Sequence, residues 1–179
     1  MLDEDGRPGG QDQTTDEGDV FYEVAAPPPA RPEPAETGDG INFYTRKWIR
    51  PEDLNANGTL FGGSLLRWID EEATIYTIVQ LGNPRVVTKL ISEIDFVSSA
   101  RQGDLVEMGL RATGFGRTSM SMRAHVRNMI TRETILTIER IVFVSLGVDG
   151  RPEPHGFTDI TYRRDRFPAA AAAGPPVPS

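Results

Sequence analysis

Residues 60–84 decide the fold, and they read LFGGSLLRWIDEEATIYTIVQLGNP. The Gly-Gly-Ser start and the Gly-Asn-Pro end predict a helix over residues 64–81. At 100° per residue this segment places its apolar side chains in one stripe, which predicts an amphipathic helix packed on a core. The stripe consists of Leu65, Ile69, Ala73 and Tyr76, flanked by Leu66 and Val79.

Segments of strand character lie on both sides of the predicted helix. A short aromatic strand is predicted over residues 41–49, and four more follow the helix, over residues 86–97, 104–113, 118–128 and 134–146. Within residues 118–128 apolar and polar side chains alternate strictly, as in a half-buried strand. Turn signals between the strands favour an antiparallel sheet. One helix set against such a sheet predicts an α+β domain with the order β-α-β-β-β-β.

Composition separates the foldable unit from two tails. Residues 1–40 contain 11 acidic and two basic side chains, a net charge of −9, and residues 41–179 contain 15 acidic and 17 basic ones. A segment so rich in Asp, Glu, Gly and Pro buries too little apolar area to offset its ordering entropy. We therefore expect residues 1–40 to be a disordered acidic and Pro-rich tail, and the Ala/Pro-rich residues 166–179 to be a second one. The domain is expected at residues 41–165.

Charge and residue usage exclude several classes of protein. The foldable unit is nearly neutral, which argues against a nucleic-acid-binding module. Residues 58–64 lack the lysine of a phosphate loop, so a nucleoside triphosphatase is excluded. Without Cys, and with only His125 and His155, neither a thiolate nor a His-built metal site is expected. No apolar run reaches the length of a membrane span and no secretory signal is present, so we expect a cytoplasmic protein.

Three features in and before the helix are candidates for a chemical role. Gly62 and Gly63 either present backbone N–H groups to an anion or polarised carbonyl oxygen, or simply form a tight turn. Asp70 lies beside the apolar stripe, where it either pairs with Arg67 at the solvent edge or faces a crevice as a general base. Asn55, in the loop before the helix, is typical of an Asx-turn or a cap.

Residues 54–73, LNANGTLFGGSLLRWIDEEA, closely resemble the hotdog-fold acyl-CoA thioester hydrolases. Residues 87–104 resemble the second strand and turn of that family, residues 116–119 (GRTS) its Gly-Arg/Lys-Ser-Ser turn, and residues 141–144 its last strand. Together the resemblance covers about residues 41–157. It implies a hotdog fold, in which an antiparallel sheet wraps a long central helix. It also implies dimers joined at their sheet edges, which assemble into hexamers as trimers of dimers.

The same resemblance implies acyl-CoA hydrolysis at a site between two protomers, without a metal or a cofactor beyond the CoA of the substrate. The helix carboxylate of the family falls on Asp70, which would activate a water or attack the thioester directly. The loop asparagine falls on Asn55 and would come from the partner chain. The N–H of Gly63 would hold the developing oxyanion, and Gly62 would keep the backbone open. The His that often precedes the Gly pair in the family is Phe61 here, which increases dependence on Asp70.

The resemblance further indicates where the substrate would lie. The acyl pocket would be lined by Leu66, Ile69 and Tyr76. The CoA moiety would run along one strand and one turn, with two arginines as phosphate candidates. The residues implied are Val87, Thr88, Arg101, Arg117, Thr118 and Ser119.

Two alternatives to hydrolysis remain on the sequence. The first is a module that keeps the pocket and senses acyl-CoA without turnover, but such a module needs neither Asp70 nor Asn55. The second is a dehydratase or hydratase of acyl thioesters, which usually relies on an Asp-His pair. Neither histidine lies near Asp70 in the sequence, so hydrolysis is favoured.

Overall fold

The computed structural model of the protein describes residues 40–162 and residue 166. Apart from Gly40 and Arg166, both predicted tails lie outside the described residues. The α+β class and the order of the elements agree with the prediction, except that one predicted strand is divided in two. The elements are β1 (Asn42–Trp48), a 3₁₀ helix (Pro51–Asp53), α1 (Gly62–Leu81), β2 (Val86–Ile91), β3 (Ile94–Phe96), β4 (Leu105–Phe115), β5 (Ser119–Asn128) and β6 (Thr134–Ser145).

Helix α1 forms where it is predicted but begins two residues earlier, at Gly62. Leu65, Ile69 and Ala73 from the predicted stripe are each at most 2% exposed, so the stripe faces the core. Gly82 ends the helix in the left-handed conformation, with φ 61°, which glycine adopts without a steric penalty. The buried face is wider than the predicted stripe. Its other members are Trp68, Thr77, Gln80 and Leu81.

The described strands form one antiparallel sheet in the order β1-β4-β5-β6-β2, with β3 also paired to β6. The alternation predicted for β5 is confirmed, because its apolar residues are at most 4% exposed and join the core cluster with α1. Helix α1 packs against β2, β4 and β6. In this strand order β1 forms one edge of the sheet, and β2 together with β3 forms the other. The buried residues of β5 are Met120, Met122, Ala124 and Val126.

The strand predicted over residues 86–97 is divided between β2 and β3. The N–H of Ser92 donates to the carbonyl of Arg140 at 2.9 Å, and the N–H of Arg140 donates back to Ser92 Oγ at 3.0 Å. A serine hydroxyl thus replaces a backbone partner at this point. The division lets β2 run beside α1, while Phe96 at the end of β3 lies against Gly62 at the start of the helix.

Candidate functional site

Asp70 is half-buried on the side of α1 that faces β2. The hydroxyl of Thr88, on β2, donates a hydrogen bond to Asp70 Oδ1 at 2.7 Å. The solvent-edge pairing with Arg67 does not form, because Arg67 binds Glu71 at 2.7 Å instead. Within the described residues the second carboxylate oxygen of Asp70 accepts no hydrogen bond. A neutral hydroxyl therefore holds the carboxylate in one orientation and leaves one oxygen available to bind a water or a substrate.

The start of α1 carries backbone N–H groups without acceptors. The N-cap residue, Phe61, gives no side-chain cap, and the first N–H of the helix with a partner is that of Leu65, which donates to the Phe61 carbonyl at 3.2 Å. In the described part of the chain, the N–H groups of Gly62, Gly63 and Ser64 have no acceptor. Three such donors at a positive helix end form a binding place for an oxyanion.

Two aromatic rings flank these donors. A Cβ added at Gly63 would lie 2.6 Å from a ring carbon of Phe61, and one added at Gly62 would lie 3.3 Å from the ring of Phe96. The two glycines thus give the rings room to lie against the backbone. No sequence pattern points to Phe96, since only the division of the strand after the helix brings its ring to the start of α1.

A pocket of about 380 Å³ opens beside Gly62. Its apolar lining comes from the loop before α1, from α1 itself, from β3 with the segment after it, and from β6. It lies next to the N–H groups at the start of the helix, where an apolar group attached to a bound carbonyl would be placed. The apolar lining residues are Leu60, Leu65, Phe96, Val97, Ala100 and Ile135.

Asn55 closes its own loop in this chain. Its Oδ1 accepts the N–H groups of Asn57 at 2.8 Å and of Thr59 at 3.3 Å, and its Nδ2 donates to Thr59 Oγ1 at 3.0 Å. This is the Asx-turn arrangement that the loop composition predicts. Among residues 40–162 no hydrogen bond joins Asn55 to Asp70. Within one chain the structure does not bring the two predicted catalytic side chains together.

The residues expected to bind CoA separate into two places. Val87 and Ser119 both lie opposite Val144 on β6, one on each side, so β2 and the turn before β5 are two strand spacings apart, about 10 Å. The same part of the sheet contains Thr88, Arg117 and Thr118. The N–H of Ser145 donates to the Thr118 carbonyl at 2.8 Å and so holds the turn against β6.

Arg101 lies elsewhere. It is bridged to Thr59, and its N–H donates to Asp104 Oδ2 at 2.8 Å. The segment before it starts beside Ile135, at the far end of β6 from Val144, about 30 Å along the strand. Within one protomer Arg101 and the turn with Arg117 therefore do not belong to one phosphate site.

The three residues expected around the acyl chain do not line one pocket. Ile69 is buried in the core, and Leu66 is partly buried against it. Tyr76 lines a different cavity, formed with β1 and β4. Burial raises the pKa of the Tyr76 hydroxyl above its ordinary value, although the hydrogen bond from the N–H of Ala112 partly offsets this.

Both histidines have structural partners. The N–H of Phe157 donates to His155 Nδ1 at 3.1 Å, so His155 Nε2 carries the proton and donates to the Ser119 carbonyl at 3.2 Å. His155 thereby fastens the segment after β6 to the turn at residues 116–119. His125 contacts Thr134 Oγ1 at 3.0 Å and packs edge-on against Phe43. In the described ranges, no cluster of three or more His, Asp or Glu side chains is placed to hold a metal ion.

None of the helices within the described residues is long and apolar enough to cross a membrane.

Comparison with known sequences finds thioesterases. A sequence model of the Thioesterase superfamily matches residues 57–135. The acyl-CoA thioester hydrolase YciA of Salmonella typhimurium is 31% identical over 115 residues, which cover 61% of this chain and 86% of that protein. The uncharacterized acyl-CoA thioester hydrolase YkhA of Bacillus subtilis is 32% identical over 113 residues. Those residues cover 59% of this chain and 63% of YkhA, slightly less than two thirds of its length.

Comparison with solved structures agrees. An apo-hexameric acyl-CoA thioesterase superimposes with a TM-score of 0.57 at 32% identity, over 68% of this chain and 80% of that one. The acyl-CoA hydrolase of Staphylococcus aureus, solved with butyryl coenzyme A, coenzyme A and coenzyme A disulfide, has a TM-score of 0.57 at 27% identity. That match covers 62% of this chain and 66% of the other.

Proposed function

Since the chain belongs to the hotdog-fold acyl-CoA thioesterases, we propose that it hydrolyses acyl-CoA to a free carboxylic acid and CoA. The observation that carries this proposal is the Asp70 carboxylate, held by Thr88 at 2.7 Å on a helix whose first N–H groups have no acceptor among the described residues. A base and an oxyanion-binding helix end are the two groups that thioester hydrolysis requires.

The proposed reaction uses water as its only co-reactant. Asp70 takes a proton from the water while the water oxygen bonds to the carbonyl carbon, or Asp70 attacks that carbon first and water then cleaves the resulting anhydride. The N–H of Gly63 holds the negative oxygen of the tetrahedral intermediate. When the carbonyl re-forms, the C–S bond breaks. In the general-base route the CoA sulfur leaves with the proton that Asp70 took from the water, because Phe61 stands where the family often has His. In the anhydride route the sulfur leaves as a thiolate, and the water that later cleaves the anhydride supplies its proton.

The place of Asp70 beside a sheet edge fits a site shared between two protomers, as the family resemblance implies. Thr88, which holds Asp70, lies on β2, and β2 is a sheet edge with which a second chain can pair. Among the described residues no hydrogen bond joins Asn55 to Asp70 within one chain. We therefore place Asn55 and Gly63 of the partner chain beside Asp70.

We place the acyl chain in the apolar pocket beside Gly62, because a thioester carbonyl on the helix N–H groups directs its acyl substituent there. The CoA arm would run along β2, past Thr88, toward the turn that carries Arg117. The side chain of Arg117 is exposed and has no ion pair within the described residues. Arg101, at the other end of β6, would reach the same CoA only from the partner chain.

We infer that the protein forms dimers through β2 and hexamers as trimers of dimers. Strand β2 is a sheet edge with its backbone groups open to pairing, and Val87 and Leu90 on it are 45% and 44% exposed. A 32% identical acyl-CoA thioesterase is hexameric. The cytoplasmic setting that the cysteine-free sequence predicts remains a prediction.

Release of CoA thiol from a panel of acyl-CoA chain lengths tests the activity. The chain contains no cysteine, so a thiol reagent reports only the product. We expect turnover with a maximum at one range of chain lengths. Tight CoA binding without thiol release on any chain would contradict hydrolysis and identify a sensing module.

Mixing two inactive variants tests the shared site. If Asp70 and Asn55 of one site come from different protomers, a mixed dimer of Asp70→Ala and Asn55→Ala chains contains one intact site. Random re-association makes half of the dimers mixed, so the mixture should regain about one quarter of the wild-type activity. No recovery, with mixed dimers demonstrated by differential tagging, would place both residues of one site in the same chain.

A further inference from the structure

A second cavity lies on the flank of α1 opposite Asp70. It has a volume of about 340 Å³ and lies between α1, β1 and β4, with residues 160–162 along one side. At 100° per residue, Glu72 and Val79 on its helical wall point about 160–180° away from Asp70. This cavity is therefore separate from the proposed thioesterase site.

A buried amide oxygen without a partner among the described residues lines this cavity. Asn42 is 6% exposed, and its Oδ1 has no hydrogen-bond partner in the described part of the chain. Asn42 lies opposite Leu110 on β4, so its side chain projects from the same face of the sheet as Leu110, toward α1. Buried side-chain amide groups in proteins are almost always hydrogen-bonded. The cavity therefore offers an acceptor, Asn42 Oδ1, to a bound donor.

A second polar group lies a short distance away. The Tyr76 hydroxyl accepts the N–H of Ala112 at 3.2 Å, so its own proton remains available for donation. Ala112 lies two residues beyond Leu110, the residue opposite Asn42, so the two polar groups are held at neighbouring positions along β4. Burial raises the pKa of Tyr76 and so keeps this hydroxyl protonated at neutral pH.

The remaining walls carry both polar and apolar side chains. Glu72, which accepts a hydrogen bond from Thr45, lines the cavity and disfavours an anion in it. A volume of 340 Å³ is at the small end of ligand pockets in proteins. The apolar lining residues are Ile75, Val79, Met108, Leu110 and Ile160.

We propose that this cavity is a second ligand site, which takes a small neutral molecule with an apolar body and a primary carboxamide head. A primary amide presents both N–H and C=O, so its N–H can donate to Asn42 Oδ1 while its C=O can accept the proton of the Tyr76 hydroxyl. A carboxylate offers only acceptors and would face Glu72. The proposal does not rest on thioester hydrolysis, because no residue of the Asp70 site takes part in it.

Thermal unfolding of the full chain with hexanamide tests the proposal, with hexanoate as the anionic comparison. Hexanamide has eight non-hydrogen atoms, for which a dissociation constant of about 1 mM is reasonable. At about ten times that concentration we expect the Tm to rise by about 3 °C. Val79→Trp fills the cavity and Asn42→Leu removes the amide, and both should abolish the rise. Ile130→Trp, at a position 70% exposed and outside the cavity, is the matched control and should keep it.

Each other outcome overturns the proposal in a distinct way. An equal rise with hexanoate would assign the site to a carboxylic acid rather than to a neutral amide. A rise that persists in Val79→Trp but disappears in Asp70→Asn would place the amide in the thioesterase site. No rise in the wild type, together with a crystal structure showing only ordered water on Asn42, would make the cavity a hydration site.

Discussion

Replacing Thr88 by valine removes the hydroxyl that holds Asp70 and keeps the shape of the side chain. The hydroxyl donates to Asp70 Oδ1 at 2.7 Å, and a hydrogen bond to a charged group contributes about 1.5–3 kcal/mol. Asp70 is half-buried and Thr88 is exposed, so solvent screening places this bond at the lower end, about 1.5 kcal/mol. If the bond orients Asp70 in the transition state, its loss lowers kcat about tenfold.

The assay is steady-state release of CoA thiol, with kcat and KM determined separately for the wild type, Thr88→Val and Thr88→Ser. Serine keeps the donor, so Thr88→Ser should stay close to the wild type. A role in binding CoA, which the family resemblance implies for Thr88, would instead raise KM and leave kcat unchanged. A wild-type kcat in a folded Thr88→Val variant would refute the positioning role.

Three further predictions concern other parts of the protein. Glu107, whose side chain is 4% exposed, accepts hydrogen bonds from Arg127 at 2.6 Å and Arg132 at 2.5 Å, so Glu107→Ala should lower the free energy of unfolding by about 3 kcal/mol. Urea unfolding measures this, and a loss under about 1 kcal/mol would contradict it. Because burial raises the pKa of Tyr76, the folded chain keeps a proton that the unfolded chain loses near pH 10. The contribution of Tyr76 to the free energy of unfolding should therefore be constant below about pH 10 and fall above it, and the fall should be smaller in Tyr76→Phe. If the urea midpoints of the wild type and Tyr76→Phe change equally between about pH 9 and pH 11, this prediction is wrong. Val97→Trp narrows the pocket beside the start of α1 and should shift the preferred acyl-CoA toward shorter chains, whereas an unchanged chain-length profile would remove the acyl group from that pocket.

Local sequence patterns predict most of the helices and strands of this fold. The alternation in residues 118–128 requires one buried face, and the structure buries Met120 and its apolar partners there. The end of α1 follows from Gly82, whose positive φ few other residues tolerate. The division of residues 86–97 could not be predicted, because it depends on a serine hydroxyl, that of Ser92, substituting for a backbone partner on β6.

The site is less accessible from the sequence because its contacts join distant residues. Asp70 and Thr88 are 18 residues apart, and their contact exists only because β2 returns along α1. Arg67 has carboxylates at both i+3 and i+4, and only the structure shows that it binds Glu71. No sequence pattern indicates that Asn42, at the start of an edge strand, is buried with an amide oxygen that has no partner among the described residues.

CoA thiol release by Asp70→Asn, measured beside the wild type, tests most directly whether Asp70 carries the hydrolysis. Both proteins are first shown to elute as the same oligomer. Asparagine keeps the size of the side chain and an oxygen for the Thr88 hydroxyl, but it cannot take a proton from water or form an anhydride. We expect turnover to fall at least a hundredfold while CoA binding is retained. Turnover within a few-fold of the wild type would show that another group carries the hydrolysis.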